Sequence, residues 1–353
     1  MDISLITNER NGILRMWSLK NGKFECVHEC DKDEHKTIIS DMGEEHTPHD
    51  NDKIYMSTDG ERIATVCNNI LLIWSTIKGK LISSFKCPSN IQYVAMSDQY
   101  IAILYFEEEI EIYTFDYKLV YVFDKTCDYQ FCLAFSPDGK YLFFANGQDV
   151  TMWDVIRKQT VTHFYLKHWV DDLAISSCSN FIVALTCDKG YMWNKTTGDI
   201  VSKFKGDENF HCLSYSSDGM YVAMGDHCGK VKIWSTTKLS AKWILKHTLK
   251  DGRDCPVKTI SFSIDNKLLA SSSENCKVCI WDVEDGTCRQ TLFHSNYACC
   301  AFVPIDYQAM RKREDITLAI SIIMDQRELP DDVFVPREVW YRFIKCTSWK
   351  DFI

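Results

Sequence analysis

The sequence predicts an all-β fold, because one short pattern of turns and strands repeats along the chain. A serine-led turn recurs, for example at residues 136–139 (SPDG) and 216–219 (SSDG), and Pro, Asp and Gly suit tight turns. An aromatic residue closes each unit, and units of about 40 to 45 residues with four strands each are typical of a β-propeller. The closing residues are Trp17, Trp74, Tyr113, Trp153, Trp193, Trp234 and Trp281. Seven closing positions therefore predict a seven-bladed β-propeller of four-stranded antiparallel blades.

The first blade lacks one strand in the N-terminal sequence. Residues 2–27 supply three predicted strands, with a hairpin turn at 11–12 (NG). Residues 297–303 (YACCAFV) look like the first strand of a blade that has no other strands after it. We expect this strand to pair with the N-terminal strands near Ile3 and Cys300, because an open ring would leave a bare sheet edge. The other blades are predicted at 53–86, 91–123, 131–165, 171–205, 211–248 and 258–293.

Two segments depart from the repeat. Within the predicted propeller, 1–303, residues 28–53 hold nine acidic residues and three lysines, which predicts a solvated loop insertion. Residues 304–353 are predicted to form a C-terminal extension, helical after Pro336, since proline suits the first turn of a helix. An eighth blade closed by Trp340 is the alternative, but its spacing from the previous closing residue is too long for the repeat.

The composition limits the possible partners and locations. The net charge of −9 argues against nucleic-acid binding, which favours a basic surface. The apolar run 318–324 is too short to span a membrane, so no membrane association is predicted. Most of the 17 cysteines occur singly in predicted strands, and with no secretory signal they favour a reduced, cytoplasmic protein over one held by disulfides. We also expect the protein to be a monomer. Nuclear localisation stays open, as does a host cytoplasm if the lysine-rich sequence is viral.

The closing pattern resembles the WD40 family. The residues that carry it are 278–282 (VCIWD), 231–235 (VKIWS), 71–75 (LLIWS) and 150–154 (VTMWD), and the resemblance covers residues 2–303. The chain departs from the family in having no Gly-His dipeptide, and in having Asn275 and Cys228 where the family has aspartate. We therefore expect these blades to depend more on apolar packing than on the hydrogen-bond network usual in the family.

The resemblance implies a non-catalytic scaffold that binds a protein or peptide partner. The family binds partners on the face formed by the starts of the first strands and by the turns between second and third strands, here called the candidate face. Trp169 is our first choice of anchor, because aromatic side chains bury much area at little entropic cost; a blade-packing tryptophan is an equal alternative. The candidate partner-binding residues are Trp169, Tyr129, Phe131, Asp171, His211, His227, Phe106, Glu107, Glu108, Glu109, Lys258 and Glu274.

Acidic residues on this face suggest what kind of partner it takes. Glu107, Glu108 and Glu109 occupy a predicted second-to-third-strand turn, and the 28–53 insertion joins a fourth strand to a first strand. Both segments would lie on the candidate face. We therefore expect a basic partner, drawn in by the negative field. A surface that serves only solubility is the competing interpretation.

Metal, cofactor and catalytic sites are not predicted. Zinc-ligand types gather at Cys26, His28, Cys30, His35, His46 and His49, but without the paired spacing of a zinc site. The sequence has no nucleophile motif, phosphate loop or paired carboxylates with a supporting base. We predict no cofactor and no enzymatic activity.

The C-terminal residues suggest an alternative function. Leu329-Pro330 followed by a predicted amphipathic helix is similar to an F-box-like adaptor segment. This resemblance implies a substrate receptor that binds a ubiquitin-ligase adaptor through residues 326–353. The competing interpretation is a helix that packs back on the propeller, since apolar helix faces commonly complete a core.

Overall fold

The computed structural model describes most of the predicted propeller. The described residues are 4–9, 14–20, 23–29, 54–67, 69–76, 80–106, 109–123, 132–187, 189–205, 209–237, 240–250, 252, 255–294 and 298–303. The chain divides into two compact units, Met1–Tyr307 and Gln308–Ile353, and every described residue belongs to the first. The helix predicted in the extension 304–353 and most of the acidic insertion 28–53 lie outside the described residues.

The described strands form seven four-stranded antiparallel sheets, which confirms the predicted propeller. Blade 1 contains β28 (Ala298–Val303), β1 (Ser4–Glu9), β2 (Leu14–Lys20) and β3 (Lys23–Glu29), and blade 2 contains β4 (Tyr55–Met56), β5 (Arg62–Cys67), β6 (Ile70–Ser75) and β7 (Leu81–Lys86). Blade 3 contains β8 (Ile91–Met96), β9 (Tyr100–Tyr105), β10 (Ile110–Thr114) and β11 (Leu119–Phe123), and blade 4 contains β12 (Leu133–Phe135), β13 (Tyr141–Asn146), β14 (Asp149–Asp154) and β15 (Gln159–Tyr165). Blade 5 contains β16 (Asp172–Ile175), β17 (Phe181–Leu185), β18 (Lys189–Asn194) and β19 (Ile200–Lys205), and blade 6 contains β20 (Phe210–Tyr215), β21 (Tyr221–Asp226), β22 (Lys230–Thr237) and β23 (Ser240–Lys250). Blade 7 contains β24 (Val257–Phe262), β25 (Leu268–Ser273), β26 (Lys277–Asp282) and β27 (Cys288–Phe293).

The two ends of the propeller sequence close the ring by sharing blade 1. Strand β28 pairs with β1 in antiparallel register, from Ser4 opposite Val303 to Glu9 opposite Ala298. Thr7 lies opposite Cys300, so the predicted closure is confirmed. This pairing removes the sheet edge that blade 1 would otherwise expose.

Each closing aromatic residue coincides with a β-bulge. In every blade the pairing of the third strand with the fourth shifts register immediately before that residue, as between Ile73 and Trp74 and between Ile280 and Trp281. A bulge bends its strand and increases the local twist. The repeating aromatic position thus marks the point where the outer strand of each blade changes direction.

The core consists of the contacts between neighbouring blades. Among the described residues, seven buried clusters each join two adjacent blades around the ring. The closing tryptophans are central to them: Trp74 is 1% exposed, Trp153 2% and Trp193 2%. Because a single blade cannot bury both of its faces, each depends on its neighbours for stability.

The serine-led turns are held by hydrogen bonds that the sequence pattern suggests. The buried Ser136 hydroxyl donates to Asp138 Oδ1 at 2.5 Å and accepts from the Tyr141 backbone N–H at 3.0 Å. Ser263 makes the equivalent bonds to Asp265 at 2.7 Å and from Leu268 at 2.9 Å. The serine and aspartate therefore fix the turn between the first and second strands.

The expectation that apolar packing replaces the polar network is wrong for three blades, which keep a hydrogen bond at the closing tryptophan. The indole N–H of Trp17, Trp74 and Trp281 donates to a hydroxyl on the second strand at 2.9, 2.9 and 2.8 Å. The acceptors are Thr7, Thr65 and Ser271. The sheet register places Ile103, Phe144, Ala184 and Met224 at this position in blades 3 to 6, which leaves no hydroxyl there. Blades 7, 1 and 2, which have this indole–hydroxyl bond, are consecutive around the ring. They include blade 1, in which the two ends of the propeller sequence pair.

Candidate protein-binding face

Backbone hydrogen bonds join the segments that were predicted to share the candidate face. Phe106 N–H donates to Asn90 O at 3.0 Å, so the β9–β10 turn contacts the segment before β8. His227 N–H donates to Asn209 O at 3.0 Å in blade 6, and Glu274 N–H donates to Pro256 O at 3.3 Å in blade 7. In these three blades the second-to-third-strand turn thus lies beside the start of the first strand.

Eight of the twelve candidate residues are described. Phe106 and Glu109 lie in the β9–β10 connection, Trp169 and Asp171 precede β16, and His227 and Glu274 lie in second-to-third-strand turns. His211 and Lys258 occupy the second positions of β20 and β24. Tyr129, Phe131, Glu107 and Glu108 lie outside the described residues.

Trp169 is presented by a short connection that is fixed on both sides. Leu166 N–H donates to Gln148 O at 2.8 Å, and Val170 N–H donates to Gly147 O at 3.0 Å. Val170 is fully buried, whereas Trp169 is 45% exposed. The closing residues Trp74, Trp153 and Trp193 are at most 2% exposed, so Trp169 is far more exposed than these blade-packing tryptophans. Phe106, on blade 3 of the same face, is 61% exposed.

The structure brings two candidate histidines into direct contact. His211 Nε2 and His227 Nδ1 share a hydrogen bond, and the ring centroids are 4.2 Å apart. One of the two nitrogens must carry a hydrogen and the other must accept it. Burial, followed by the nearby His227 and Lys258, lowers the pKa of His211. The lowered pKa favours the neutral form of His211.

Lys258 and Glu274 form an ion pair beside these histidines. Lys258 Nζ lies 2.8 Å from Glu274 Oε1, and both side chains are partly exposed. A surface pair of this kind contributes little to stability, about 0–1 kcal/mol. It joins the start of the first strand of blade 7 to the β25–β26 turn at this face. His211, His227, Lys258 and Glu274 together form what we call the blade 6–7 cluster.

Asp171 lies beside a buried carboxylate that sequence reasoning missed. Burial, with a smaller contribution from Asp172, raises the pKa of Asp171 to about 6. Asp172 is 9% exposed, and its carboxylate accepts from the N–H groups of Leu173 and Leu213, both at 3.0 Å. The Tyr93 hydroxyl lies 3.5 Å from the same carboxylate. The only signal in the sequence was the adjacent pair of aspartates.

Asp172 connects three blades near the centre of the ring. It belongs to blade 5, while Leu213 belongs to blade 6 and Tyr93 to blade 3. Thr259 repeats part of this arrangement, because its hydroxyl accepts from Cys300 N–H of blade 1 at 3.0 Å. These inner-strand side chains therefore help to position the first strands, two of which carry His211 and Lys258.

The described residues provide no metal site. No group of three or more His, Cys, Asp and Glu side chains among them is arranged to hold a metal ion. Of the zinc-ligand types in the N-terminal sequence, Cys26 lies on strand β3 and is exposed, while Cys30, His35, His46 and His49 lie outside the described residues.

Over the part of the chain described here, the cysteines form no disulfide. Cys132, Cys212 and Cys299 are buried within the inner strands or beside them. Free buried cysteine packs as a small hydrophobic side chain.

A search of the described residues finds no helix with the length and apolar character needed to cross a membrane.

Comparisons with known proteins agree with the fold. A family model described as "WD domain, G-beta repeat" matches residues 198–235 and 243–282. Apoptotic protease-activating factor 1 of Danio rerio is 23% identical over 239 residues, which cover 66% of this chain and 19% of that protein. Protein LST8 homolog of Drosophila melanogaster is 27% identical over 178 residues, or 47% of this chain and 55% of its own length. WD repeat and SOCS box-containing protein 1 of Mus musculus is 27% identical over 208 residues, or 52% of this chain and 47% of its own length.

The matches support the repeat but cover only parts of longer proteins. The chain spans between about a fifth and about half of the length of these relatives. The two segments matched by the family model end at Ser235 and Asp282, each directly after a closing tryptophan. They therefore coincide with the repeating unit of the structure, from the outer strand of one blade to the third strand of the next. The chain therefore contains repeats that match the WD40 family model, arranged in a ring of seven blades.

Proposed function

We propose that this protein is a non-catalytic scaffold that binds a protein or peptide partner through the candidate face. WD40 propellers are typical protein-interaction scaffolds. The observation that carries the proposal is Trp169, which is 45% exposed on a connection held by hydrogen bonds on both sides. A large aromatic side chain with few rotatable bonds, carried on a backbone that is held in place, loses little conformational freedom when a partner covers it.

We propose that the partner is basic. We also propose that the protein described here is monomeric and cytoplasmic. The net charge of −9 and the acidic run at Glu107, Glu108 and Glu109 support this charge preference. Electrostatic attraction acts mainly on the association rate and weakens as salt screens it. The association rate with the partner should therefore fall steeply between low and high ionic strength. An association rate that does not change with salt would contradict the basic partner.

Affinity capture with the full chain tests the scaffold function, with Trp169→Ala as the binding variant. Ile156→Ala is the matched control, because Ile156 is a 72% exposed apolar residue in the turn between the third and fourth strands of blade 4, away from the candidate face. An aromatic anchor typically contributes 2 kcal/mol or more, so we expect about a thirtyfold loss of affinity for the purified partner with Trp169→Ala and little change with Ile156→Ala. Equal affinities for the two variants would remove Trp169 from the site.

A second candidate function is a substrate receptor that binds a ubiquitin-ligase adaptor through the F-box-like segment 326–353. The similarity to a mouse protein whose name combines WD repeats with a SOCS box supports this candidate, because it shows a similar propeller in a protein with an additional box. Removing residues 326–353 should abolish capture of ligase adaptors and leave the unfolding temperature unchanged. A lower unfolding temperature, with no adaptor captured by the full chain, would instead support a segment that packs on the propeller.

A further inference from the structure

A cavity of about 200 Å³ opens where blade 7 meets blade 1. We call it the seam pocket. Its lining residues are Leu19, Phe24, Asp265, Lys267, Leu268, Ile280, Asp282, Arg289 and Gln290. Asp265 and Lys267 lie in the turn between the first and second strands, and Leu19 and Asp282 lie at the ends of third strands. The seam pocket is therefore on the face opposite the candidate face.

The seam pocket has an apolar floor and a fixed width. Phe24 is 4% exposed, Leu268 9% and Ile280 1%, so the floor is built from well-packed side chains. The Gln290 side chain spans the seam: its Oε1 accepts from Phe24 N–H at 2.7 Å, and its Nε2 donates to Phe24 O at 3.0 Å. These two bonds hold the outer strands of blades 7 and 1 in a set position. Ligand pockets are commonly 300–1,000 Å³, so the volume fits one large side chain better than a whole small molecule.

The carboxylates at the pocket rim already have partners. Asp265 Oδ1 accepts from the Ser263 hydroxyl at 2.7 Å and from Lys267 N–H at 3.1 Å. Asp282 accepts from Glu284 N–H at 2.8 Å and is paired with the Arg289 guanidinium. Neither aspartate therefore needs a ligand to satisfy it.

The Lys267 ammonium is different, because it forms no ion pair with any residue in the described part of the chain. Lys140 occupies the same position in the blade 4 turn, and its Nζ lies 3.7 Å from Asp138. Lys267 is exposed at the rim of an apolar cavity. The charged group of the seam pocket that is left to pair with a ligand is therefore positive.

We propose that the seam pocket binds a peptide of a partner protein in which a large apolar side chain adjoins a carboxylate side chain. The apolar side chain fills the space over Phe24, Leu268 and Ile280, which removes apolar surface from water. The neighbouring carboxylate pairs with Lys267. This site does not depend on the candidate face, so either site can fail without the other.

A set of short peptides tests the two requirements separately. Acetyl-Glu-Leu-amide contains both groups, acetyl-Gln-Leu-amide lacks the charge, and acetyl-Glu-Ala-amide lacks the large apolar group. Binding of each to the full chain is measured by ligand-observed NMR titration. We expect acetyl-Glu-Leu-amide to bind at millimolar concentration, and each of the other two to bind at least about fivefold more weakly. No binding of acetyl-Glu-Leu-amide at millimolar concentration, or equal binding of the three peptides, would overturn the proposal.

Matched lysine variants locate the binding site. Lys267→Gln should remove the preference for glutamate over glutamine, whereas Lys140→Gln should retain it, because both lysines are exposed in equivalent turns. Trp169→Ala should leave peptide binding unchanged. A preference that survives Lys267→Gln, or peptide binding lost in Trp169→Ala, would place the peptide elsewhere and overturn the proposal. Tighter binding of free N-acetyl-leucine than of any peptide would show a site for small amphipathic acids instead.

Discussion

Replacing Ser271 with alanine should destabilise blade 7 by removing one hydrogen bond. The Ser271 hydroxyl accepts the Trp281 indole N–H at 2.8 Å, and the two residues are 7% and 5% exposed. Alanine fills nearly the same volume, so packing is retained while the buried N–H loses its acceptor. An unsatisfied buried donor costs about 1–3 kcal/mol. We expect the free energy of unfolding to fall by that amount in Ser271→Ala. Ser271→Thr is the matched control, because threonine performs this role in blades 1 and 2.

A double-mutant cycle separates this bond from other effects. Trp281→Phe removes the indole N–H, so adding Ser271→Ala to that variant should cost much less than it costs in the wild type. Urea unfolding of the four proteins gives the coupling energy, which we expect to be about 1 kcal/mol or more. A coupling energy near zero, or equal losses for Ser271→Ala and Ser271→Thr, would refute the view that hydroxyl–indole bonds stabilise blades 7, 1 and 2.

Three further predictions concern the seam and the ionisable residues of the candidate face. Gln290→Ala removes both side-chain bonds to the Phe24 backbone and should lower the free energy of unfolding by about 1–3 kcal/mol in urea; an unchanged value would mean that these bonds do not hold the seam. His211 has a lowered pKa in the folded protein, so protonation favours the unfolded state and stability should fall as pH decreases below the unfolded pKa of about 6.5. His211→Asn should weaken that decline in thermal unfolding between pH 7 and 5, and an identical decline would contradict this assignment. Asp171 should change stability with pH in the opposite direction. Its pKa is raised to about 6, so its ionised form disfavours folding at higher pH. Asp171→Asn should therefore stabilise the protein at pH 7.5 and have less effect at pH 4; an equal effect at both values would contradict the raised pKa.

The number of blades and the ring closure could be predicted because both depend on local, repeated signals. The serine-led turn and the closing aromatic residue each need only a few neighbouring positions, and they recur with the blade. The structure adds a physical reason for the aromatic position, since a β-bulge precedes Trp74, Trp281 and their counterparts in every blade. The orphan strand that contains Cys300 was recognisable because the first blade lacked a strand.

The contacts between blades could not be predicted in the same way. Asp172 accepts a hydrogen bond from Leu213 in the next blade and lies near Tyr93 two blades earlier, and no local pattern encodes those pairs. Gln290 was missed because its partner is the Phe24 backbone, far away in the sequence. The indole–hydroxyl bonds were missed because a threonine or serine in a strand has no distinctive local signal.

Only part of the candidate face could be predicted from the sequence. Alignment of the repeats was enough to place His211 and His227 on one side of blade 6, but their direct contact depends on the turn geometry. The same alignment could not separate an anchoring tryptophan from a packing one. The structure adds the exposures that the alignment could not give, since Trp169 is 45% exposed and Trp193 is 2% exposed.

The pairing of β28 with β1 is the most direct test of the account, because the ring and both proposed binding sites depend on it. Amide–amide NOEs in a perdeuterated sample of the full chain would report the partners of Ser4–Glu9. The structure predicts contacts in antiparallel order, with Ile6 near Ala301 and Asn8 near Cys299. Contacts of Ser4–Glu9 with a different strand, or in a shifted register, would contradict the closed seven-bladed ring.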